Sequence, residues 1–386
     1  MRDVLDHVRP WFDAGERFAL ATVIDTFRSA PRQAGAAMAV SAAGEVVGSV
    51  SGGCVEGAVY ELAREVIETG RPVVQRYGVA DDDAFAVGLT CGGVIDILVQ
   101  PIDRTTFPEF DAVADTIDSG PVAIATVVRG ERLGTRMIVW PDRVSGGLGD
   151  PFLDSAVTED AVAMLEQGST AVRRYGPRGQ RRREDEAVFV QSFAPPARLF
   201  VFGAIDFAAA VARAGKFLGY RVTVCDARPV FATSKRFPDA DEVIVDWPHR
   251  FLAGAVADGL VDGRTAMCVL THDPKFDVPL LELALRTDAG YIGAMGSRRT
   301  HADRLARLSE LGLADSELAR LRSPIGLDLG ARTPEETAVS IAAEIIADRW
   351  GATGRPLSRT RGRIHGEAIV SAESSRPRVP DHDLPH

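Results

Sequence analysis

The chain has 386 residues, 46% of them hydrophobic and 25% charged, and its 44 basic and 54 acidic side chains give a formal net charge of −10. This is the composition of an ordinary globular protein long enough for two domains, and the negative charge excludes a general electrostatic basis for nucleic-acid binding. The sequence shows no signal-peptide core and no run of about 18 apolar residues. We therefore expect a cytoplasmic protein without a membrane span, whose partners are small molecules and proteins.

Short apolar runs separated by glycine characterise the first hundred residues. They predict strands over residues 18–24, 36–40 and 94–99. Between the last two strands, apolar residues at helical spacing predict a helix over residues 55–68, with Gly70 as its stop. Cys54 is therefore expected to precede or open a helix.

A second mixed segment, residues 106–192, is expected to complete the first domain. It contains predicted strands at 121–128 and 135–140 and a predicted helix at 160–167. The stretch 173–186 is rich in arginine and glycine, which predicts an exposed loop or, alternatively, a patch that docks a partner. The sequence Phe-Ala-Pro-Pro-Ala that begins at Phe193 is a linker signal.

After the linker, strands and helices alternate regularly. Strands are predicted at 199–202, 221–226, 242–246, 266–270 and 291–295, and the first helix at 206–218. Such alternation indicates a parallel sheet covered by helices. A last helix is expected to begin at Thr333-Pro334, with a capping threonine and an early proline, and to end near Trp350.

The predicted fold class is α/β, with an amino-terminal mixed α/β domain and a carboxy-terminal Rossmann-like parallel-sheet domain. The expected boundaries are residues 1–192 for the first domain, 193–198 for a linker, and 199–350 for the second domain. Residues 351–386 lack periodicity and are rich in Arg, Ser, Pro and His, which predicts a disordered tail.

Two glycine-cysteine segments indicate a binding site in the first domain. One contains Gly52, Gly53, Cys54 and Glu56, and the other contains Cys91, Gly92 and Gly93. Glycine lets backbone N–H groups approach a ligand and permits positive φ, and cysteine adds a soft, ionisable sulfur. The turn that carries Arg32 is expected to face the same ligand. The alternative is that these small residues only pack tightly against backbone.

The other two cysteines, Cys225 and Cys268, lie within apolar strands and are expected in the core. All four cysteines are widely spaced, without a Cys-x-x-Cys pair, so we expect thiols rather than disulfides. The helix that follows Cys54 favours its thiolate form, and the charge of Glu56 partly opposes this effect.

A Rossmann nucleotide site is suggested by Gly203 after the first strand of the second domain and by Asp226 at the end of the next strand. However, when the Rossmann fingerprint Gly-x-Gly-x-x-Gly is aligned at Gly203, Ile205 occupies the position of the second glycine. The isoleucine side chain would crowd an approaching phosphate. The two open alternatives are a nucleotide-like ligand at this turn and a retained fold whose first turn binds nothing.

Further polar residues are expected at the carboxyl edge of the same sheet, where open α/β sheets bind ligands. Gly296, Ser297 and Arg298 enter a helix and offer an amide, a hydroxyl and a guanidinium to a phosphate. The alternative is an ordinary helix cap beside solvated arginines. The pair His272-Asp273 is either an acid-base pair or a strand end whose histidine satisfies a loop carbonyl.

The chain resembles the XdhC/CoxI family over most of residues 10–347. In the first domain the resemblance is carried by Ser-Ala-Pro-Arg ending at Arg32, by the segment from Gly48 to Gly57, and by Cys91-Gly-Gly. In the second domain it is carried by the segments 291–299 and 324–336. The chain departs from the family at Ile205 and Asp206, where the glycine turn usually reads close to Gly-Ala-Gly-His.

The resemblance implies an accessory protein that binds molybdenum cofactor, as molybdopterin or its dinucleotide form, while a cysteine desulfurase helps to install a terminal sulfur ligand. It then delivers the cofactor to the apoenzyme of a molybdenum hydroxylase of the xanthine dehydrogenase or CO dehydrogenase type. This role is that of a chaperone, with no catalytic residue, and the metal contacts would come from Cys54 and Cys91. Homodimerisation is plausible. The alternatives are an NAD(P)-dependent oxidoreductase and a docking scaffold for the hydroxylase.

Overall fold

The computed structural model describes residues 1–27, 32–78, 93–176, 178–181 and 183–360. No helix in these ranges is both long and apolar enough to span a membrane. The described residues form three sheets, two of them antiparallel in the amino-terminal half and one parallel in the carboxy-terminal half. The predicted α/β class with a carboxy-terminal parallel sheet is confirmed.

The first antiparallel sheet has the strand order β3-β2-β1-β5-β4. A short 3₁₀ helix, Arg2–Val4, and helix α1, Leu5–Asp13, precede it. Its strands are β1 (Phe18–Phe27), β2 (Ala37–Ser41), β3 (Val46–Gly48), β4 (Val73–Tyr77) and β5 (Val94–Ile102). Helix α2 (Glu56–Thr69) lies between β3 and β4 and ends at Gly70 in the left-handed conformation, as the sequence predicts.

The second antiparallel sheet repeats this topology, with the order β8-β7-β6-β10-β9. Helix α3 (Phe110–Ser119) precedes it, and helix α4 (Pro151–Gln167) takes the place of α2. Its strands are β6 (Val122–Arg129), β7 (Arg136–Val139), β8 (Val144–Gly146), β9 (Ala171–Tyr175) and β10 (Glu186–Phe193). The amino-terminal domain is therefore an internal duplication.

Matching positions confirm that the two halves correspond in detail. A spacing of 98 residues separates Gly48 from Gly146, Gly70 from Gly168, and Tyr77 from Tyr175. Gly48 and Gly146 both have positive φ, and a Cβ on either one would collide with a carbonyl oxygen of the neighbouring strand. Gly70 and Gly168 are both left-handed helix ends. The duplication thus preserves the backbone conformation at the positions that close each α-β unit.

The two sheets pack face to face, with α2 and α4 on the outer sides, and apolar residues of both sheets share one core. Two buried glutamines cross this interface symmetrically. Gln100 donates from Nε2 to the carbonyl of Gly134 at 3.3 Å, and Gln191 donates to the carbonyl of Gly35 at 3.1 Å. Reciprocal bonds of this kind are those of a two-fold interface within one chain.

The carboxy-terminal sheet is entirely parallel, in the order β13-β12-β11-β14-β15-β16, which is that of the doubly wound Rossmann fold. Its strands are β11 (Arg198–Phe202), β12 (Arg221–Asp226), β13 (Glu242–Val245), β14 (Ala266–Val269), β15 (Tyr291–Ala294) and β16 (Leu321–Arg322). Its helices are α5 (Asp206–Phe217), α6 (Pro248–Ala257), α7 (Pro274–Ala284), α8 (Arg298–Glu310), α9 (Asp315–Leu318) and α10 (Pro334–Trp350). Helix α10 begins with the predicted capping box between Thr333 and Glu336.

Two predictions for the second repeat had wrong boundaries. The helix expected at 160–167 begins much earlier, because Asp150 caps the amides of Phe152 and Leu153 and Pro151 occupies the first helical position. The loop expected over 173–186 begins only after Tyr175, since Arg173 and Arg174 belong to β9 and pair with β10. Tertiary pairing overrides the polar composition of this strand.

The end of the chain is partly described. Residues 351–360 are exposed and include a 3₁₀ helix at Leu357–Arg359. The rest of the predicted tail, 361–386, lies outside the described residues.

The two domains meet at the amino edge of the parallel sheet. A junction cavity lies between the domains. It is lined by Ala197, Tyr220 and Arg264, which lie one or two residues before β11, β12 and β14, and by Gly168 and Ser192 of the first domain. The carboxyl edge, where Rossmann folds bind ligands, lies at the opposite ends of these strands. Strands of four to six residues place the two edges about 13–20 Å apart.

Candidate functional site

The loop between β3 and α2, residues 49–55, is organised around the carboxylate of Glu56. Its Oε1 accepts hydrogen bonds from the Ser49 hydroxyl at 2.6 Å and from the Ser51 amide at 2.9 Å. Its Oε2 accepts from the Ser51 hydroxyl at 2.5 Å and from the Gly53 amide at 2.8 Å. Glu56 is the first residue of α2, so a single side chain fixes the loop to the start of the helix.

The serine hydroxyls bind three further amides of the loop. Ser49 Oγ accepts from the Gly52 amide at 2.9 Å. Ser51 Oγ accepts from the amides of Cys54 and Val55 at 2.9 and 3.0 Å. The amides of Gly52 and Gly53, which sequence reasoning offered to a ligand, are therefore engaged within the loop.

These contacts determine the charge state of Glu56. Burial by itself would raise its pKa, but the hydrogen bonds from Ser49 and Ser51 outweigh burial and hold the pKa at about 2. Glu56 therefore carries a full negative charge at neutral pH, and that charge is directed into the loop. An anionic group approaching the loop meets a site whose donors are already taken.

The outer side of the loop is open and carries a thiol. Among the described residues, a Cβ on Gly52 or on Gly53 would have no neighbour within 4 Å, and both residues have positive φ, 78° and 119°. Cys54 follows them and is partly buried. Open glycine backbone next to a sulfur gives a flat or bulky ligand room to approach the thiol.

Arg32 adjoins this loop, as the sequence predicts. Its Nε donates to the Ser49 carbonyl at 3.4 Å, and its guanidinium lies 3.8 Å from the carboxylate of Asp3. The side chain remains 40% exposed, so it keeps donors available for a ligand. Arg32, Gly52, Gly53, Cys54 and Glu56 are therefore brought together at one place.

The second glycine-cysteine segment is described only at Gly93. Gly93 is buried and precedes β5, whose first residue, Val94, pairs with Phe27 at the end of β1. Cys91 and Gly92 lie outside the described residues, so a site shared by Cys54 and Cys91 remains a prediction. Across the described ranges, no group of three or more His, Cys, Asp or Glu side chains is arranged to hold a metal ion.

The second repeat keeps a carboxylate at the corresponding place, but its helix begins earlier, at Pro151, and its loop differs in chemistry. Asp154 occupies the position that corresponds to Glu56, and it accepts the amide of Leu148 at 2.6 Å. By the same correspondence, Asp150 and Pro151 replace the two glycines, and Phe152 replaces Cys54. The carboxylate that organises the loop is thus common to both repeats, whereas the open backbone and the thiol belong to the first.

In the Rossmann domain, Asp226 is occupied by neighbouring groups. It accepts the amide of Ala204 at 2.7 Å and the guanidinium of Arg228 at 2.8 and 2.9 Å. Burial would raise the pKa of Asp226, but the hydrogen bonds from Arg228 and from the Ala204 amide lower it. The carboxylate that would bind a ribose in a dinucleotide enzyme therefore holds the glycine turn itself.

The glycine turn is shaped by its own packing. Gly203 has φ of 108°, and a Cβ there would lie 2.8 Å from Thr271 Cγ2 and 3.1 Å from the Thr271 amide. The residue must be glycine because the chain just beyond β14 approaches so closely. Ile205 packs partly into the core above the sheet. None of these contacts needs a phosphate at the turn.

At the carboxyl edge, Ser297 is the N-cap of α8. Its hydroxyl accepts a hydrogen bond from the Thr300 amide at 3.1 Å. Ser297 therefore acts as an ordinary helix cap, which was the alternative to a phosphate contact. Arg298 is exposed at the first position of the helix, next to Gly296, which has φ of 151°. These three residues adjoin one another but are far along the chain from Gly203 and Asp226.

A buried ion pair that sequence reasoning missed supports this edge. Arg304 of α8 and Asp277 of α7 are almost fully buried, with nitrogen and oxygen 2.8 Å apart. Arg304 also donates to the Met295 carbonyl and to Ser323 Oγ, and Thr271 donates to Asp277. The pair fixes the ends of β14, β15 and β16. The only sequence signal for it is an arginine on the apolar side of a helix.

The fold and the loop define a two-domain class of protein, in which a duplicated antiparallel domain carries a thiol loop and is joined to a Rossmann domain. Comparison with family models agrees with this description. Residues 11–78 and 117–176, one segment in each repeat, match the XdhC and CoxI family, and residues 199–345 match the XdhC Rossmann domain. The chain belongs to the XdhC and CoxI family.

Individual relatives extend over most of the chain. A probable xanthine dehydrogenase subunit from Bacillus subtilis is 29% identical over 86% of this chain and 94% of its own length. The molybdenum cofactor insertion chaperone PaoD from Escherichia coli is 27% identical over 87% of this chain and 85% of its own length. A crystal structure titled as a xanthine dehydrogenase from Bacillus halodurans shares the fold, with a TM-score of 0.63 and 24% identity over 92% of this chain and 97% of that one.

Proposed function

We propose that this protein is a molybdenum-cofactor insertion chaperone for a molybdenum hydroxylase of the xanthine dehydrogenase class. The observation that carries the proposal is the thiol loop, where Cys54 follows two glycines that no side chain of the described residues covers. The family and the names of two relatives support it. The cofactor is the cargo of such a protein, so its release matters as much as its binding.

The loop suits a soft-metal cargo. Thiolate sulfur is a ligand that softer metal centres prefer, and the open glycine backbone leaves room for a flat pterin beside it. The loop is also rigid, because Glu56, Ser49 and Ser51 satisfy its amides internally. A preorganised loop loses little conformational entropy when cargo binds, which lowers the cost of each loading cycle.

In this proposal Glu56 acts as a positioning residue. Its two oxygens accept hydrogen bonds from the loop itself, and its charge would repel the phosphate of the cofactor. Arg32 is the cation that is placed to attract that phosphate, because it adjoins the loop and stays partly exposed. Cys91, Gly92 and Gly93 are proposed to complete the site from the neighbouring segment.

The finer steps of the function are part of the same proposal. The protein protects the cofactor while a cysteine desulfurase supplies the terminal sulfur, and it then docks the apo-hydroxylase, of the xanthine dehydrogenase or CO dehydrogenase type. If the cargo is the dinucleotide form, Gly296, Ser297 and Arg298 would offer a phosphate contact at the carboxyl edge. The observations at Gly203 and Asp226 do not favour an NAD(P)-dependent oxidoreductase, because Asp226 is already held by Arg228 and the Ala204 amide.

The direct test is the substitution Cys54→Ser. The purified chain would be loaded anaerobically with molybdopterin, passed over a desalting column, and mixed with apo-hydroxylase. We expect the variant to retain and transfer at least about tenfold less cofactor, because an alcohol is a poor ligand for a soft metal. Molybdenum content and recovered hydroxylase activity are the two measurements.

The matched control is Cys225→Ala, which removes a buried thiol whose pKa is raised to about 12 by burial. This variant should retain and transfer cofactor as the wild type does. If Cys54→Ser performs as well as this control, the thiol is not part of the cargo site and the proposal fails.

A further inference from the structure

The junction between the two domains contains a cavity of about 220 Å³. It lies at the amino edge of the Rossmann sheet, and so on the opposite side of that domain from the carboxyl edge. Both domains contribute to its walls, with Arg2, Gly168 and Ser192 on one side and Tyr220, Arg264 and Arg349 on the other. Nothing in the proposed chaperone function uses this cavity.

Three guanidinium groups line the cavity. Arg2 donates to the Ile117 carbonyl at 3.0 Å, and Arg349 interacts with the Tyr220 hydroxyl and with the ring of Trp350. In the described part of the chain neither arginine forms an ion pair with a carboxylate. Two cations from different domains therefore face one space without a protein anion to balance them.

The third guanidinium, that of Arg264, holds the junction together. It donates to Asp262 and to the carbonyl of Pro195 in the linker, each at 2.9 Å. Its side chain is only 14% exposed, and it packs against Gly168 at the end of α4, where a Cβ would lie 3.2 Å from Arg264 Cδ. A ligand on Arg264 would therefore contact the linker region and both domains.

Two polar atoms at the cavity are buried without a hydrogen-bond partner in the described part of the chain. They are Nε of Arg264 and Oγ of Ser192. A buried donor that is left unsatisfied costs about 1–3 kcal/mol, so the contact between the two domains is not optimised at this place. Both atoms belong to residues that line the cavity, on opposite walls, but protein covers each of them. A ligand in the cavity would therefore contact the exposed guanidinium groups of Arg2 and Arg349.

The negative ends of neighbouring helices offset only part of the positive charge of the three guanidinium groups. Helices α4, α5 and α10 all end at the cavity, and each carboxyl end carries about half a negative charge. Together with Asp262, they fall short of three guanidinium charges. The carbonyls of Leu165 and Met164, near the end of α4, already accept the amides of Gly168 and Ser169.

We propose that this cavity binds a small oxyanion of the phosphate class and that the bound ion cross-links the two domains. Guanidinium groups bind phosphate oxygens in paired, charge-assisted hydrogen bonds. The volume is below the range of roughly 300–1,000 Å³ for pockets that hold drug-sized ligands. The site is therefore suited to inorganic phosphate or a small phosphomonoester and is separate from the cofactor loop.

Isothermal titration of the full-length protein with inorganic phosphate tests the proposal, with glycerol phosphate as a second probe and ionic strength held constant by chloride. We expect a dissociation constant below about 1 mM. Arg349→Gln and Arg2→Gln should each weaken binding by at least about tenfold. Both side chains are exposed enough to be replaced without unfolding the protein. Tighter binding of glycerol phosphate than of phosphate would identify an organic phosphate as the ligand.

Two control variants locate the site. Arg307→Gln removes the same charge from the exposed side of α8, and Arg298→Gln removes the proposed phosphate contact at the carboxyl edge. Neither should change binding at the junction. Absence of phosphate binding at millimolar concentration would overturn the proposal, as would binding that is lost in Arg298→Gln and kept in Arg349→Gln. Because none of these measurements uses molybdenum cofactor, their outcome is independent of the chaperone function.

Discussion

Glu56 shows how one side chain can organise a site without contacting the cargo. From the sequence we predicted that the charge of Glu56 partly opposes thiolate formation at Cys54. We also predicted that Glu56 belongs to the ligand site. In the structure its oxygens accept four hydrogen bonds from the loop. The serines that make this network were missed, because Ser49 and Ser51 precede the acidic residue by more than the spacing of a capping box.

The substitution Glu56→Gln tests this role. The amide replaces a charged acceptor and turns one of its atoms into a donor that faces other donors. We expect a loss of about 1–3 kcal/mol in the free energy of unfolding at pH 7, measured by urea denaturation. Glu61→Gln, at an exposed position on the same helix, should be neutral.

The effect of Glu56→Gln should also depend on pH. The pKa of Glu56 in the folded state is about 2, below its ordinary value of 4.5. A carboxyl group whose pKa is lower in the folded state stabilises the fold at pH values above its unfolded-state pKa. This stabilisation is lost as the pH falls through the folded-state pKa. The difference between wild type and variant should therefore be constant above about pH 5 and shrink below it. A difference that grows on acidification would contradict the assignment.

At the scale of elements, the two repeats show what the backbone requires and what function adds. Gly48 and Gly146 occur at the same place in each repeat because a Cβ would meet the adjacent strand. Gly52 and Gly53 occur only in the first repeat, and no described residue lies where their Cβ atoms would be. The first pair is therefore required by the fold, and the second pair is available for function.

Alanine substitutions separate these two kinds of glycine. Gly48→Ala places a Cβ 2.4 Å from the Ala37 carbonyl oxygen and 2.5 Å from Val4 Cγ1, whereas Gly52→Ala adds only the strain of positive φ, about 1–2 kcal/mol. We expect Gly48→Ala to lose about 1–3 kcal/mol more in the free energy of unfolding. Gly52→Ala should mainly weaken cofactor retention. Equal losses of stability would show that the space before Gly52 is not open.

The duplication was missed in the sequence. Residues 58–63 and 156–161 share alanine, valine, glutamate and alanine at matching positions. These identities are separated by unlike residues and have the ordinary composition of a helix, so they are recognised as a repeat only once the two sheets are superposed by topology. The polar strand β9 concealed the last part of the second repeat, because Arg173 and Arg174 suggest a loop until their pairing with β10 is seen.

For the whole molecule, the sequence predicted the architecture of the second domain better than its ligand chemistry. Strand-helix alternation and the cap at Thr333 determine the order and ends of the elements, and these are local properties of the chain. The occupation of Asp226 by Arg228, and the pairing of Asp277 with Arg304, depend on side chains that approach only in the fold. Site chemistry was therefore less predictable than topology.

The arrangement of the domains also bears on the function. The junction occupies the amino edge of the parallel sheet, which leaves the carboxyl edge on the other side of the Rossmann domain. The thiol loop belongs to the first repeat, and Arg298 belongs to the carboxyl edge. Cofactor binding is therefore centred on the thiol loop in this account, and the phosphate contact at Arg298 is a separate proposal.

The most direct test of the central claim is the molybdenum and pterin content of the protein, purified anaerobically from a host that makes the cofactor. NADH and NADPH titrations would be run on the same preparation. The account predicts near-stoichiometric molybdopterin and no tight nicotinamide binding. A preparation without pterin that binds NADH or NADPH at micromolar concentration would contradict it and would favour an oxidoreductase.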